Sequence, residues 1–221
     1  MVQKEYIFRF LRDLRNNNSK DWMDANRDRY ETAKACWLNE IEKILERLSK
    51  HDAHFSNVKP KDAIERINNN LMYHPEKPTY KDHFGCEPTS VNNKGAVYIS
   101  VGPSHSFIGG GIHNPQKDIL DKVRKAIDYD GKKLQNIIDS ADIKDYFGGL
   151  SKDHKKLKTS PKGYSKDHKH IELLRRKDFT VIKQLTEDDV TGTNFIDIVE
   201  QAYLKMKPLN DYMSKAISVD D

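Results

Sequence analysis

Apolar residues recur along this chain with two different periods, and the switch between them sets the expected architecture. Ile7, Phe10, Leu11 and Leu14 stand at i, i+3, i+4 and i+7, the stripe of an amphipathic helix. Asn16, Asn17, Asn18 and Ser19 end that stripe and offer side-chain oxygens to cap the helix that follows. Tyr30, Ala33, Trp37, Ile41, Ile44 and Leu48 then step by three or four, with charged residues between them, and predict a long second helix. Trp22 and Met23 place an apolar patch on an earlier turn of the same region.

The helical period stops after Lys50. Pro60, Pro75, Pro78 and the run Asn68–Asn70 make the stretch to residue 78 largely irregular, because proline cannot donate a hydrogen bond and disfavours helix at the residue before it. Ala96 to Val101, bounded by Gly95 and Gly102-Pro103, is the clearest strand. Ser106-Phe107-Ile108 predicts a second, antiparallel to it, and Tyr80 to Phe84 a weaker third. Asn114-Pro115 reads as a helix start carrying Ile119, Leu120, Val123 and Ile127, and Asp130-Gly131 as a turn before Leu134, Ile137 and Ile138. A lysine-rich polar stretch follows. The pattern closes with a short helix at Ile171–Leu174, a strand at Phe179–Ile182 and a terminal helix with Phe195, Ile198, Val199, Ala202, Tyr203 and Met206. Helices at both ends and strands in the middle, without regular alternation, predict an α+β fold: a small antiparallel sheet flanked by N-terminal and C-terminal helices, in one domain over residues 1–221.

Composition narrows the class. Leu, Ile, Val and Phe make up 51 of 221 residues, 23%, just above the ~20% below which chains tend to disorder. No run approaches the ~18 apolar residues that a membrane-spanning helix needs, and no apolar signal core follows Met1. The expected location is cytoplasmic. Cys36 and Cys86 match no zinc spacing and are too few for a disulfide framework, so buried, inert thiols are expected.

Net charge is only +4 beside 38 basic and 34 acidic residues, yet the charge is uneven. Residues 152 to 177 hold ten Lys or Arg against three acids, interleaved with Tyr164, His154, His168 and His170. Such a stretch attracts phosphates without regard to sequence. The pI of 8.8 lies below the usual cue of ~9 for a nucleic-acid domain and argues against that partner. His168 and His170 lack an acid at ligand spacing and have lysines on both flanks, so no metal and no other cofactor is expected. Gly109-Gly110-Gly111 lacks the lysine and hydroxyl of a phosphate loop; glycines here allow a bulge or a close approach of backbone to a ligand or another strand.

A series of motifs runs through Phe10-Leu11-Arg12-Asp13-Leu14, Asn17-Asn18, Trp22, Asn26-Arg27 and Tyr30, then Arg66-Ile67, Lys77, Tyr80-Lys81, Tyr98 and Phe107 to Gly111. It continues with Pro115, Leu120, Arg124, Ile127, Pro161 to Tyr164, Asp167-His168, Leu173-Leu174 and Phe179. Their order resembles the DUF2461 family of conserved hypothetical proteins. The likeness covers about residues 6 to 217 and implies a single-domain α+β protein, with no established activity. The chain departs from the family's Arg-Asp-x-Arg-Phe-Ser string, carrying Asn69, Asn70 and Met72 where the resemblance leads one to expect Arg, Asp and Arg. Neither Asn nor Met can grip a carboxylate or phosphate with a bidentate fork.

Three functional readings stay open. One is binding of an anionic small molecule in a pocket lined by Arg66, Lys77, Lys81, Gly109, Gly110, Gly111, Lys162 and Tyr164. A second is an enzyme for a phosphorylated or carboxylated substrate, with Tyr80 or His168 as acid/base and Lys81 or Lys162 stabilising negative charge. A third is an interaction module built on the basic stretch.

Overall fold

A computed structural model describes residues 2–88, 96–153 and 155–218; Gly95 and His154 lie outside them. The fold is α+β, with helices at both ends of the chain and four antiparallel strands in the order β1-β2-β3-β4. The elements are α1 (Val2–Asn16), α2 (Lys20–Ala25), α3 (Arg27–Ser49), a 3-10 turn (Ala53–Asn57), α4 (Pro60–Ala63), β1 (Phe84–Cys86), β2 (Ala96–Val101) and β3 (Ser106–Ile112). They continue with α5 (Lys117–Ile138), α6 (Ala141–Phe147), α7 (Ile171–Leu174), β4 (Phe179–Leu185), α8 (Glu187–Thr191) and α9 (Phe195–Ser218). The chain divides into two compact units: Met1–Pro88 with Tyr98–Ile108 and Gln184–Gln201, and Thr89–Val97 with Gly109–Lys183 and Ala202–Asp221.

In the first unit the stripe of α1 packs on that of α3. Ile7, Leu11, Leu14, Trp37, Ile41, Ile44 and Leu48 are all buried, each such side chain contributing about 1.5–3 kcal/mol when fully removed from water. Ser19 caps α2 by accepting the Trp22 N–H at 3.2 Å. A run of rings then links helices to sheet: Trp22 to Phe10 (6.0 Å), Phe10 to Tyr30 (6.0 Å) and Tyr30 to Phe84 of β1 (6.4 Å). One face of the strands here, with Phe84, Cys86, Ile99, Val101 and Ile108, is therefore core. The segment from Ile64 to Asn68 runs antiparallel beside Tyr80 to Cys86, with bridges at Ile64–Cys86 and Asn68–Tyr80. Tyr80 thus sits in a single bridge, and the expected third strand begins later, at Phe84. Residues 69 to 79 form an excursion whose base Asn69 closes by donating its side-chain amide to the Pro78 carbonyl at 2.8 Å. Met72, at one of the three departed positions, is 83% exposed.

In the second unit, β3 continues through Gly109–Gly111, which are strand and not loop. Gly111 has φ +95°, and a Cβ there would run into the Phe179 carbonyl oxygen; its N–H donates to Asn210 Oδ1 at 2.8 Å. Gly111 serves the close approach of one backbone to another. Helix α5 starts at Lys117, after Asn114 has taken a positive φ of 48°. At Asp130-Gly131, where the sequence predicts a turn, the helix breaks. Asp130 leaves helical geometry (φ −142°, ψ 56°), its carboxylate accepts the Lys133 N–H at 3.2 Å as a fresh cap, and the helix resumes. Gly131 is buried against the His170 ring, where a Cβ would lie 2.6 Å from Cδ2.

The basic stretch is fastened by one aspartate. Asp153 accepts the backbone N–H groups of Lys155 (2.9 Å), Lys177 (2.5 Å) and Asp178 (3.1 Å). Burial pushes its carboxyl upward, but these three donors and nearby Arg176 outweigh that and hold it below the ordinary carboxylate range. Arg176 in turn donates to the carbonyls of Ser151 (2.6 Å) and Asp178 (2.9 Å). The lysines of this segment ride on a tied frame.

Candidate functional site

The sequence-predicted residues fall into two groups, one in each unit. Arg66, Lys77, Tyr80 and Lys81 belong to the first; Gly109, Gly110, Gly111, Lys162, Tyr164 and His168 belong to the second. Arg66, Lys77 and Lys162 are exposed. Tyr80 is 6% exposed, and its backbone N–H and carbonyl are both bound by the Asn18 side chain at 2.9 Å.

Strand geometry sends alternate side chains to opposite faces. With Phe84, Ile99 and Val101 in the core, the other parity of the first unit's strand segments presents Lys81, His83, Gly85, Tyr98, Ser100, Gly102, His105 and Phe107. This second face is polar, aromatic and glycine-rich. At its centre Glu65 Oε2 accepts from Lys81 Nζ at 2.6 Å and from the Tyr98 hydroxyl at 3.2 Å. Both groups lie over Gly85, where a Cβ would stand 2.5 Å from the Tyr98 oxygen and 2.7 Å from Glu65 Oε2. Gly85 pairs in register with Ser100, whose buried hydroxyl has no hydrogen-bond partner. Lys81 and Glu65 remain partly open, at 22% and 32% side-chain exposure.

Rings continue the face. Tyr98 stacks on Phe107 (5.6 Å), Phe107 on His105 (5.9 Å), and His105 lies 5.4 Å from His83. Burial, then the negative charge and hydrogen bond of Glu65, raise the Tyr98 phenol above its ordinary range, so it keeps its proton. Burial, then the neighbouring His105 and Lys81, lower His83 despite Asp82, so it stays neutral near pH 7. His83 Nδ1 is 3.6 Å from Asp82, beyond hydrogen-bond reach. Asp82 accepts the Ser104 hydroxyl, which takes a hydrogen bond from Arg15 at 3.3 Å. The arrangement offers a flat apolar wall, a carboxylate, an ammonium and a protonated phenol on one surface.

In the second unit Tyr164 and His168 gather on α5. The His168 Nδ1 accepts the His170 backbone N–H at 3.1 Å, so the proton of the neutral ring lies on Nε2, facing Asp128 Oδ1 at 3.0 Å. Both ring nitrogens therefore have hydrogen-bond partners. The Tyr164 ring meets His168 edge-on at 6.4 Å. Burial raises its phenol, as do Asp128 and Asp121, against Arg124 and Lys125. Arg124 is 8% exposed; Nε donates to the Leu174 carbonyl at 3.0 Å, while Nη2 is buried without a partner.

Cys86 is buried, as expected, whereas Cys36 is only half-buried. Burial raises the thiol of Cys36 and, more strongly, that of Cys86. Among the described residues no group of three or more His, Cys, Asp or Glu could hold a metal ion, and no helix is long and apolar enough to cross a membrane.

Glu65, Tyr98, Ser100 and the His83–His105 pair were not singled out from sequence as a site. Their signal is the two-residue period of Lys81-His83-Gly85, Tyr98-Ser100-Gly102 and His105-Phe107, which puts polar, aromatic and glycine positions on one face. Fold and face together define an α+β protein carrying one chemically rich sheet surface. The DUF2461 family model, described as a conserved hypothetical protein, matches residues 6–212, and the chain belongs to that family. No curated protein and no solved structure matches it.

Proposed function

We propose that the polar sheet face of the first unit binds a small molecule with a flat ring and an anionic or carbonyl-rich edge. The observation that carries this reading is the Glu65 carboxylate shared by Lys81 and Tyr98 above Gly85, beside the stacked Tyr98 and Phe107 rings. Lys81 has three N–H donors and gives one to Glu65, so further donors can meet an acceptor on the ligand. Because Glu65 balances its charge, a bare anion gains little here, and the ring wall supplies the rest of the contact.

Calorimetric titration with adenosine 5′-monophosphate and nicotinate, against ring-free phosphate and acetate, tests the reading. Ring-bearing ligands bind more tightly, and Phe107→Leu and Lys81→Met each weaken them. Equal behaviour of all four compounds, or binding indifferent to both substitutions, overturns it.

A second reading places an oxyanion in the other unit, against Arg124, Tyr164 and Lys162. Its support is the buried Arg124 Nη2, a cationic donor with no protein acceptor. If Arg124→Gln abolishes phosphate binding that Lys81→Met leaves intact, this second site is the anion site.

A further inference from the structure

Helix α5 and the part of α9 that belongs to the second unit line a groove of about 740 Å³, inside the range of about 300–1,000 Å³ usual for small-molecule sites. The helical hydrogen-bond ladder is interrupted in both walls at this place. Helix α5 leaves helical geometry at Asp130, and α9 carries Pro208 within its length. The lining is mostly apolar, with Ala126, Ile137, Pro208, Tyr212 and Ala216. Tyr212 donates its hydroxyl to the Asp130 carbonyl at 3.4 Å, tying the kink to the opposite wall. Tyr129, also lining the groove, is 92% exposed.

The charged lining is one-sided. Lys122, Lys125, Lys133 and Lys215 outnumber Asp130 and Asp211 there. Lys122 is engaged with the Ile217 carbonyl at 3.2 Å and Asp211 with Lys207 at 2.7 Å. Lys133 on α5 and Lys215 on α9 add positive charge to the two walls. A neutral hydrocarbon would make no use of this positive charge, and a free phosphate would find few partners on the apolar walls. We propose that this groove binds a single-chain amphiphile with an anionic head, of the fatty-acid class: the chain lies on the apolar lining and the carboxylate meets the lysines. The site is separate from the sheet face, and neither reading depends on the other.

Dodecanoate displacing the fluorescent anion 1-anilinonaphthalene-8-sulfonate from the full chain tests this, with dodecanol and inorganic phosphate as comparisons. Dodecanoate displaces the probe with one-site saturation, dodecanol is weaker, and phosphate is without effect. Ala126→Trp fills the groove and weakens dodecanoate by at least about tenfold, the effect of roughly 1.4 kcal/mol. Lys133 is exposed, so Lys133→Glu leaves the fold intact; it weakens dodecanoate about threefold, the size of one exposed charge pair, and leaves dodecanol unchanged. Absence of saturable displacement, or dodecanoate affinity unchanged by Lys133→Glu, overturns the proposal whether or not Ala126→Trp folds.

Discussion

Gly85→Ala probes the polar face through the smallest possible change, one methyl group. The new Cβ would lie 2.5 Å from the Tyr98 oxygen and 2.7 Å from Glu65 Oε2, both far closer than a carbon can approach. These are the far ends of two side chains, so they swing aside and the backbone holds. The strain therefore falls at the low end of the ~1–3 kcal/mol seen for overpacking. The Tyr98–Glu65 hydrogen bond, long at 3.2 Å and partly exposed, adds about 0.5–1 kcal/mol when broken. The expected loss is about 1.5–2 kcal/mol, which for a chain of this size lowers Tm by about 3–8 °C. Tyr98→Phe removes the colliding oxygen, so combined with Gly85→Ala it costs at least about 0.5 kcal/mol less than it does alone. Urea unfolding of the four proteins gives the cycle, and the NMR titration of the Tyr98 ring reports the site itself. Moving Tyr98 away from Glu65 brings its phenol back toward the ordinary tyrosine range. Strictly additive stabilities, with the Tyr98 titration unmoved, refute the reasoning.

Other substitutions test the frame around the site. Asp153→Ala leaves three backbone N–H groups without their acceptor and costs about 2–3 kcal/mol in urea unfolding, while Asp153→Asn recovers part of it. Because the folded state holds the Asp153 carboxyl below its ordinary value of about 3.9, its contribution is complete above that pH and is lost as pH falls further; stability curves of wild type and Asp153→Asn converge there. His83 titrates below its ordinary value of about 6.5, so the unfolded chain binds the extra proton and stability falls as pH drops below that value; His83→Gln flattens this part of the curve. Gly111→Ala combines a positive φ with a collision against the Phe179 carbonyl and costs about 2 kcal/mol or more, seen as a lower urea midpoint.

The long helices were legible because each carries an apolar stripe over several turns, and α1, α3 and α9 follow that stripe closely. Helices α6 and α8 are too short for a stripe to stand out; Ser140 and Thr186 cap them, and Thr186 forms a capping box with Asp189 that marks α8. Asp130-Gly131 reads locally as a turn, and Asp130 does leave helical geometry there; its carboxylate caps the helical segment that resumes, with Gly131 packed under His170. Tyr80 and Lys81 were visible as a motif, but their difference was not. Adjacent strand positions face opposite ways, so Tyr80 is buried while Lys81 reaches Glu65. Glu65 itself stands among prolines and asparagines, where only the pairing of Ile64–Asn68 with Tyr80–Cys86 gives its carboxylate a place. Hydrogen bonds to His168 likewise depend on α5 and on a backbone N–H, neither of which a histidine in a lysine-rich segment announces.

The polar face as a binding surface is tested most directly by following backbone amide resonances while adenosine 5′-monophosphate is added. Binding there shifts Lys81, Gly85, Tyr98, Ser100 and Phe107 in a saturable way, and Lys81→Met weakens the response. Shifts confined to α5, α9 or the basic stretch, or no saturable shift on β1 and β2, contradict the assignment of function to this face.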